Sequence, residues 1–401
     1  MNFNTKAELF NHISSFKIKP HYQLARNDLR TLNSYENDEY IAYEVITSSQ
    51  EMTCPGCGHL TSSVKDKRTT YPTVGLINEK PVLLKLTKKI YHCHKCHINT
   101  IESVAGIEKY ARKANEFIKL FIKALNDNTY SATGRRFKVS CTNIILHFDK
   151  YRRTLQEEDV SAIKNIGIDE VRFIPTAGNY QCVLFNHDTG KIIDILSDRY
   201  LPTVTARLLQ FANIEKITQD FWDTYRRAGK SVFKNVKIIT DKFHLARFST
   251  WSYNRTRVKI QKDKKLRLAR SWKLQTKARK DLSKLAKRKL DALLSQDQEL
   301  LHAYKAKEFF LSIIRLNDAN EYKVKINKWI DYVKKHNLIE FYAIITTLNN
   351  WHEEIINMFD SKLSNGAIER VNRTIKQAKS NAYGFTNLDR STDLIKMRMA
   401  S

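Results

Sequence analysis

The sequence predicts a multidomain, helix-rich α/β protein, and three features of the chain carry this prediction. Two C-x-x-C pairs lie within residues 51–100, strand signals concentrate in residues 165–245, and residues 248–358 show an almost continuous helical pattern. The 401 residues are 42% apolar, which is enough for several buried cores. Only 6 prolines and 11 glycines occur, in agreement with a high helix content.

The charge balance indicates a polyanionic partner. Lys and Arg number 69 against 42 Asp and Glu, a net charge of +27, so nucleic acid is the simplest partner. No apolar leader segment and no run of 18 apolar residues occur, so we expect no membrane association and a cytoplasmic protein. Six sparse cysteines favour a reducing compartment and metal binding over disulfides.

Residues 1–50 are predicted to form an N-terminal helical segment. Its basis is the spacing of Leu9, Phe10, Ile13 and Phe16, which places four apolar side chains on one helical face. No chemistry can be assigned to this segment.

Residues 51–105 are predicted to form a zinc ribbon. Two C-x-x-C turns, 35 residues apart, offer four thiolates to one tetrahedral structural Zn²⁺, and residues 81–91 alternate like a strand that leads into the second turn. Two alternatives stay open: the thiols are buried without metal, or a nearby histidine replaces one cysteine. The predicted ligands are Cys54, Cys57, Cys93 and Cys96, and the nearby histidines are His59, His92, His94 and His97.

Residues 106–155 are predicted to form a helix-turn-helix DNA-binding domain. Ser140 is a good N-cap for a helix whose first turn presents Thr142 and Asn143 to phosphates or base edges, and the basic pair Arg135 and Arg136 precedes it. A small helical bundle without DNA contacts is the alternative interpretation.

Three carboxylates stand out in the strand-rich part of the chain and after it. Asp169 shares a strand face with Val171 and Phe173, and a carboxylate among apolar neighbours is costly to bury without a partner or a metal. Glu170 is expected to pair with Arg172. Asp241 ends a second apolar strand, where open α/β sheets place ligand sites.

The third carboxylate, Glu369, lies on a predicted helix that Ser364 or Asn365 can cap. Ile368, Val371, Ile375, Ala378 and Ala382 would dock this helix on the sheet. The adjacent stripe of Glu369, Asn372, Lys376 and Lys379 suits a metal with a phosphate backbone passing over it. The alternative is that Glu369 only complements the helix dipole and that the lysines are solvated.

These blocks resemble the ISL3 family of bacterial insertion-sequence transposases. The resemblance rests on Ile168-Asp-Glu170, on Thr240-Asp-Lys-Phe-His244 and on the stretch from Ser364 to Phe385 with its Asn-Gly-Ala-Ile-Glu-Arg-Val-Asn core. The Cys-Pro-x-Cys-Gly turn and the helix-turn-helix lie where that family has its DNA-binding region. The match extends from about residue 50 to the end of the chain.

The resemblance implies an RNase H-like mixed-sheet catalytic core, residues 160–247 and 359–401, interrupted by a helical basic insertion, residues 248–358. Its triad would be Asp169, Asp241 and Glu369, holding two Mg²⁺ or Mn²⁺ ions, with the strands of Asp169 and Asp241 side by side. Asp194 would lie two strand spacings from Asp169, roughly 10 Å away and too far to share the metals. A short last core strand is expected near residues 359–363.

Residues 251–290 hold 16 Lys and Arg against 2 Asp and Glu, with Trp251, Tyr253 and Trp272 interleaved. We expect a DNA-phosphate surface here, and the alternative is a solvated helical face. The predicted DNA contacts outside the helix-turn-helix are His244, Arg255, Arg257, Lys264, Lys265, Arg267, Asn372, Lys376 and Lys379.

The predicted function is a DNA transposase that binds element ends as double-stranded DNA, cleaves phosphodiester bonds and joins the freed 3′-OH to target DNA by two-metal transesterification. It would act in the bacterial cytoplasm at the nucleoid, as a homodimer or a higher oligomer. Two alternatives are a non-catalytic DNA-binding regulator of transposase origin and an RNase H-like nuclease that cuts without joining.

Overall fold

The structure is a computed structural model that describes residues 28–155, 158–174, 179–265, 272–382 and 385–400. The chain divides into two compact units: Met1–Leu155 with the last two residues, and Gln156–Met399. Among the described helices, none combines the length and the apolar character that crossing a membrane requires.

A six-stranded sheet organises the first unit. The long strand β7 is its centre: β2 pairs with it in parallel, and β5, β6 and β8 pair with it antiparallel. A separate two-stranded ribbon, β3 with β4, flanks the first C-x-x-C turn. The strands are β1 Leu29–Glu36, β2 Ile41–Thr47, β3 Met52–Thr53, β4 Leu60–Thr61, β5 Val64–Thr70, β6 Thr73–Ile77, β7 Lys80–His92 and β8 Asn99–Ile101.

The expected helical segment over residues 1–50 is corrected in its described part, where β1 and β2 form an antiparallel pair. Ile41, Ala42, Tyr43 and Val45 are fully buried or nearly so, and this apolar run with β-branched residues suits a strand covered on both faces. The pattern at Leu9–Phe16 that suggested the helix lies outside the described residues.

Three helices complete the first unit: α1 Asn115–Ala124, α2 Tyr130–Phe137 and α3 Cys141–Arg152. The rings of Phe117, Phe121 and Phe137 pack against one another in their core. Ser140 is the N-cap of α3, as predicted, and its hydroxyl accepts a hydrogen bond from the backbone N–H of Asn143.

A five-stranded mixed sheet forms the centre of the second unit, in the order β11-β10-β9-β12-β13. β10 is antiparallel to both β9 and β11, whereas β12 is parallel to β9 and β13 is parallel to β12. The strands are β9 Asn165–Val171, β10 Gln181–Asn186, β11 Lys191–Leu196, β12 Lys216–Gln219 and β13 Lys237–Thr240. The expectation that β9 and β13 are neighbours is therefore wrong, because β12 lies between them.

Helices cover both faces of this sheet. Helices α4 Leu201–Leu208 and α5 Asp223–Val232 pack on the face that carries Ile166 and Ile168. Helices α13 Gly366–Asn381 and α14 Leu388–Ala400 pack on the opposite face, where Val171 and Phe173 lie. Four of the five predicted docking residues are buried there, Ile368, Val371, Ile375 and Ala378, whereas Ala382 lies just past the end of α13 and is half-buried.

The segment between β13 and α13 is helical in its described part, as expected, and has its own core. Its first helix begins at Lys242, next to the sheet, so the expected boundary at residue 248 falls within a helix. The expected strand near residues 359–363 is absent from the described chain, since the last helix continues to Asp360. The helices are α6 Lys242–Asp263, α7 Trp272–Thr276, α8 Lys284–Leu294, α9 Gln298–Ile314, α10 Ala319–Lys335, α11 Tyr342–Asn350 and α12 His352–Asp360.

Candidate active site

Three aspartates form a row at one edge of the second sheet. The register aligns Ile168 of β9 with Gln219 of β12, and Gln219 with Thr240 of β13. The residue that follows in each of these parallel strands is an aspartate: Asp169, Asp220 and Asp241. Because side chains in one row of a sheet point to the same face, the three carboxylates share the face covered by α13.

Helix α13 contacts two members of this row through asparagines. Asn372 Nδ2 donates to Asp169 Oδ2 at 2.7 Å and to the backbone oxygen of Glu170 at 3.3 Å. Asn365, the N-cap residue, donates through Nδ2 to Asp220 Oδ1 at 3.0 Å and accepts from the Thr218 hydroxyl at 2.9 Å. The predicted cap position is confirmed, but its side chain bonds the sheet instead of its own helix.

Glu369 lies between these two asparagines along the helix. It follows Asn365 by four residues and precedes Asn372 by three, so all three side chains project from one face of α13. A Cβ at Gly167 would come within 3.1 Å of His187 Nε2 and 3.2 Å of Thr218 Oγ1, so glycine leaves room for this hydrogen-bonded pair beneath α13. Glu369 is half-buried on α13, whereas the cluster of possible metal ligands in the described part of the sheet edge consists of Asp220, Asp241 and His244.

His244 links the other two aspartates. Its Nδ1 lies 3.1 Å from Asp241 Oδ2, and its Nε2 lies 3.2 Å from Asp220 Oδ2. Asp241 also caps helix α6, because its Oδ1 accepts from the N–H of Phe243 at 3.1 Å. One ligand atom each from Asp220, Asp241 and His244 lie within 4.8 Å of one another.

The row is electrostatically strained when no cation is bound. Burial raises the pKa of the Asp169 carboxyl to about 7, and the negative charge of Asp220 adds to this shift. Burial likewise raises the pKa of Asp220 to about 6. The positive charge of His244 opposes this increase, and the negative charge of Asp241 reinforces it. Buried carboxylates that repel one another are suitable ligands for a divalent cation, which prefers oxygen and relieves the repulsion.

Buried oxygen atoms without a hydrogen-bond partner lie around the row. In the described part of the chain one of them, Asn372 Oδ1, lies on the face of the carboxylates, whereas Glu170 Oε2 and Gln219 Oε1 belong to neighbouring residues that project to the opposite face. Asn372 is only 5% exposed, so its free acceptor oxygen is cut off from bulk water. Such an oxygen fits a site whose cations and bound water complete the hydrogen bonding.

Sequence reasoning missed Asp220. The signal was the one that singled out Asp241: a short apolar strand, Lys-Ile-Thr-Gln, that ends in an aspartate. β12 has only four residues, and its apolar character is limited to Ile217 with the threonine, so the strand was not recognised.

Two neighbouring carboxylates have other partners. Asp194 lies on β11, two strands from β9 as expected, and forms an ion pair with Arg207 at 2.9 Å. Glu170 pairs with Arg199 at 3.1 Å and not with Arg172, whose guanidinium lies over the Tyr180 ring. The expected Glu170–Arg172 pair is therefore corrected.

The four predicted zinc ligands come together in the first unit. Sγ of Cys54 lies 3.4 Å from that of Cys96, and Sγ of Cys57 lies 3.6 Å from that of Cys93. Tetrahedral zinc with bonds of about 2.3 Å requires sulfur separations close to these. The backbone N–H of Gly56 lowers the pKa of the Cys54 thiol to about 7, which favours the thiolate that zinc binds. The four-cysteine cluster is a structural zinc site, and in the described part of the chain no histidine joins its ligands.

Most predicted DNA contacts are exposed or half-exposed. Arg135, Arg136, Thr142 and Asn143 are exposed on α2 and α3. The exposed residues of the second unit are Arg255, which pairs with Glu340, Lys264, which pairs with Asp297, and also Lys265 and Lys376. Lys379 is half-buried and donates to the backbone oxygen of Arg172, and Arg267 lies outside the described residues.

Three predicted DNA contacts have internal partners instead. Arg257 is 7% exposed and donates to Asn254 and Gln261. Asn372 bonds Asp169, and His244 bonds the aspartate row, so their polar atoms already have partners. Tyr253, one of the interleaved aromatic residues, is fully buried. Burial keeps Arg257 and Asn372 from reaching a phosphate on the surface.

Comparisons with known proteins match this architecture. A family model described as a transposase, of the DDE type and the ISL3 group, matches residues 166–392, which include the aspartate row and Glu369. A model described as the zinc finger of transposases IS204, IS1001, IS1096 and IS1165 matches residues 50–96. The transposase for insertion sequence element IS1001 of Bordetella parapertussis is 21% identical over 366 residues, which cover 88% of this chain and 89% of that protein.

The core match covers more than half of the chain, and the second match falls on the cysteine cluster, which together define a zinc-ribbon transposase. The chain belongs to the ISL3 family of insertion-sequence transposases, as its motifs predicted.

Proposed function

We propose that this chain is a DDE transposase whose RNase H-like core binds two divalent cations, Mg²⁺ or Mn²⁺, between carboxylates of β9, β12 and α13. One observation carries the proposal: Asp169 and Asp220 follow aligned positions of neighbouring strands, and the helix that carries Glu369 bonds both of them through Asn372 and Asn365. The mixed five-stranded sheet with helices on both faces supports the RNase H-like assignment.

The second carboxylate of the triad is better assigned to Asp220 than to Asp241. Strand β12 is the direct neighbour of β9, whereas β13 lies two strand spacings, roughly 10 Å, from β9. Asp194 on β11 lies at the same separation from β9 and is too far from Asp169 to share its cations. Asp241 accepts a hydrogen bond from the N–H of Phe243 at the start of α6, and its Oδ2 contacts His244 Nδ1. We therefore propose Asp169, Asp220 and Glu369 as the cation ligands, with Asp241 positioning His244 beside Asp220.

The proposed reaction exchanges phosphodiester bonds without a covalent enzyme intermediate. When bound, the cations neutralise charge on the attacking and leaving oxygens. A water oxygen attacks the phosphorus at the element end, the P–O3′ bond breaks, and a free 3′-OH is left. That 3′ oxygen then bonds a target phosphorus while the target's own P–O3′ bond breaks, so the joining step conserves the number of phosphodiester bonds.

The first unit would recognise the element ends. We propose that the zinc site stabilises the strands around the two C-x-x-C turns and that helices α1–α3 act as a helix-turn-helix. Thr142 and Asn143 are exposed in the first turn of α3, where a recognition helix meets base edges. The partners would be double-stranded element ends and target DNA at the bacterial nucleoid, bound by a homodimer or a higher oligomer.

The test is an assay for cut and joined products. Labelled DNA that carries the terminal sequences of the element is incubated with the purified chain and Mg²⁺ or Mn²⁺. We expect nicked ends and strand-transfer products with the wild type, and neither with Asp169→Asn, while binding of end DNA persists. Asp194→Asn, which alters a carboxylate outside the row, is the matched control and should stay active.

The outcomes separate the alternatives. Binding without any cut product would support the non-catalytic regulator, and cutting without joined product would support the nuclease. Full joining by Asp169→Asn would contradict the assignment of the site.

A further inference from the structure

A chain of hydrogen bonds between polar side chains leads from the end of β10 to Asp220. His187 Nε2 lies 2.8 Å from the Thr218 hydroxyl, and that hydroxyl donates to Asn365 Oδ1 at 2.9 Å. Asn365 Nδ2 in turn donates to Asp220 Oδ1 at 3.0 Å. Thr218 and Asn365 are each only 1% exposed, so bulk water does not compete for their polar atoms. We call His187, Thr218 and Asn365 the relay.

The relay crosses strand β9 at Gly167. His187 directly follows β10, whereas Thr218 belongs to β12 on the other side of β9. Gly167 is the β9 residue that is aligned with Thr218. A Cβ at Gly167 would lie closer to both relay atoms than ordinary van der Waals contact allows, so any other side chain would push them apart. The missing side chain of β9 thus makes the space that the His187–Thr218 hydrogen bond occupies.

The direction of each hydrogen bond follows from the Asp220 end of the relay. An ionised carboxylate only accepts, so Asn365 must turn its Nδ2 toward Asp220 and its Oδ1 toward Thr218. The Thr218 hydroxyl has a single proton, which it gives to that Oδ1. It can therefore meet His187 only as an acceptor, and this requires a proton on His187 Nε2.

The other tautomer of His187 would disturb the carboxylate. With the proton on Nδ1, His187 Nε2 would accept the Thr218 proton, and Asn365 Oδ1 would lose its donor. The Asn365 amide would then be free to turn its oxygen toward Asp220, where two acceptors repel each other. Burial lowers the pKa of His187, which keeps its ring neutral near neutral pH and leaves the tautomer to decide the direction of the relay.

We propose that His187 and Thr218 are positioning residues that act through Asn365. By fixing the Asn365 amide, they hold the Asp220 carboxylate in place for a divalent cation. His244 Nε2 lies 3.2 Å from the other oxygen of Asp220, so the carboxylate is oriented at both oxygens while each keeps a further lone pair. This inference rests on the proposed function, because it takes Asp220 as a cation ligand.

A calorimetric titration of the full chain with Mn²⁺ tests the effect on the cation site. Thr218→Val replaces the hydroxyl with a methyl group and should weaken Mn²⁺ binding roughly 10- to 100-fold, whereas Thr218→Ser should keep most of the affinity. Thr205→Val is the matched control and should bind Mn²⁺ like the wild type. The Thr205 hydroxyl is also buried in the second unit, but it has no hydrogen-bond partner in the described part of the chain.

The titration distinguishes failure of the relay from failure of the proposed function. If Asp220→Asn lowers the Mn²⁺ affinity but Thr218→Val does not, the inference is overturned and the cation site stands. If Asp220→Asn leaves the Mn²⁺ affinity unchanged, the assignment of Asp220 is overturned, and this inference with it.

A second measurement tests the relay without any cation and without relying on the folding of a variant. Nitrogen NMR of the imidazole rings in the metal-free wild-type chain distinguishes the two tautomers, and the His187 signals are identified by their loss in His187→Gln. We expect the proton of His187 on Nε2. A proton on Nδ1 would overturn the inference.

The two His187 variants add a matched comparison of Mn²⁺ affinity. A glutamine side chain can donate from its own Nε2 in place of the ring, so His187→Gln should keep most of the affinity. His187→Leu fills similar space but cannot donate, so it should bind Mn²⁺ more weakly. Equal Mn²⁺ affinities of the two variants would also overturn the inference.

Discussion

Asn372 donates a 2.7 Å hydrogen bond to the buried carboxylate of Asp169, and it does so from the helix that carries Glu369 one turn earlier. The bond ties the helix with the third carboxylate to the strand with the first. It also stabilises the charged form of Asp169 in a place where burial opposes that form. Asn372, predicted from the sequence to contact DNA, is thus better described as a positioning residue.

Replacing this asparagine should change the pH dependence of cleavage. Without the hydrogen bond from Nδ2, the pKa of Asp169 should rise further above its ordinary value, so the acid limb of the pH–rate profile of Asn372→Ala should move to higher pH. The variant should also lose about 1–3 kcal/mol in the free energy of unfolding. Cleavage rates across pH and thermal unfolding measure both, and an unmoved acid limb would show that Asn372 has only a structural role.

The two candidates for the second carboxylate can be separated by matched substitutions. Asp220→Asn should abolish cleavage and joining, because it removes the oxygen ligand next to Asp169. Asp241→Asn should keep measurable activity, because asparagine is as good an N-cap for α6 as aspartate and can still bond His244. Single-turnover cleavage rates of the two variants show which aspartate is the second carboxylate of the triad. A faster Asp220→Asn than Asp241→Asn would assign that role to Asp241.

The metal-free protein should become less stable as the pH rises. The pKa values of Asp169 and Asp220 are raised to about 7 and about 6, so the stability that their protonation provides is fully present below about pH 4 and is lost as the pH rises through those values. The loss should reach a few kcal/mol for the pair. Saturating Mg²⁺ should restore most of the lost stability above neutral pH.

Thermal unfolding with and without Mg²⁺ between about pH 5 and pH 8 measures this effect. The double variant Asp169→Asn/Asp220→Asn is the control for all other titrating groups, and its melting temperature should depend less on pH and not at all on Mg²⁺. A wild-type protein whose stability is the same with and without Mg²⁺ above pH 7 would contradict the prediction.

Zinc should be needed for the first unit and for recognition of DNA ends. We expect one zinc per chain by metal analysis, and Cys93→Ser should lower both the zinc content and the affinity for end DNA, because a lost ligand opens the cluster. Cys141→Ser changes an exposed free cysteine at the start of α3 and should keep the zinc. Equal zinc content in both variants would argue against the four-cysteine site.

Two arginines of α6 offer a matched test of the basic surface. Arg255 is exposed, so Arg255→Gln should reduce the slope of log affinity against log salt concentration by about 0.9, the contribution of one phosphate. Arg257 is buried between Asn254 and Gln261, so Arg257→Gln should instead lower the thermal stability and leave the slope unchanged. DNA titrations at several salt concentrations measure the slopes. Equal slopes for both variants would contradict the distinction between a DNA-contacting Arg255 and a structural Arg257.

The sequence predicted features that depend on local patterns. The thiol pairs, the capping serine of α3, the apolar face of α13 and the helical nature of the segment after β13 all follow from spacing along the chain. These features depend on interactions between residues close in sequence, so the spacing of residues along the chain is sufficient to predict them.

The features that the sequence did not reveal depend on long-range pairing. Four residues of β12 are too few to show a period, and their place between β9 and β13 is decided by tertiary hydrogen bonds. The burial of Arg257 and the partners of Asn372 likewise follow from packing between distant segments. Periodicity along the chain does not determine the strand order. The position of Asp220 beside Asp169 depends on that order.

The measurement that tests the central proposal most directly is the anomalous scattering of Mn²⁺ in crystals of the protein bound to an element end. We predict two Mn²⁺ positions that share Asp169 as a ligand, with Asp220 and Glu369 completing the protein ligands. Manganese bound elsewhere, or Glu369 directed away from Asp169 with Mn²⁺ present, would contradict it.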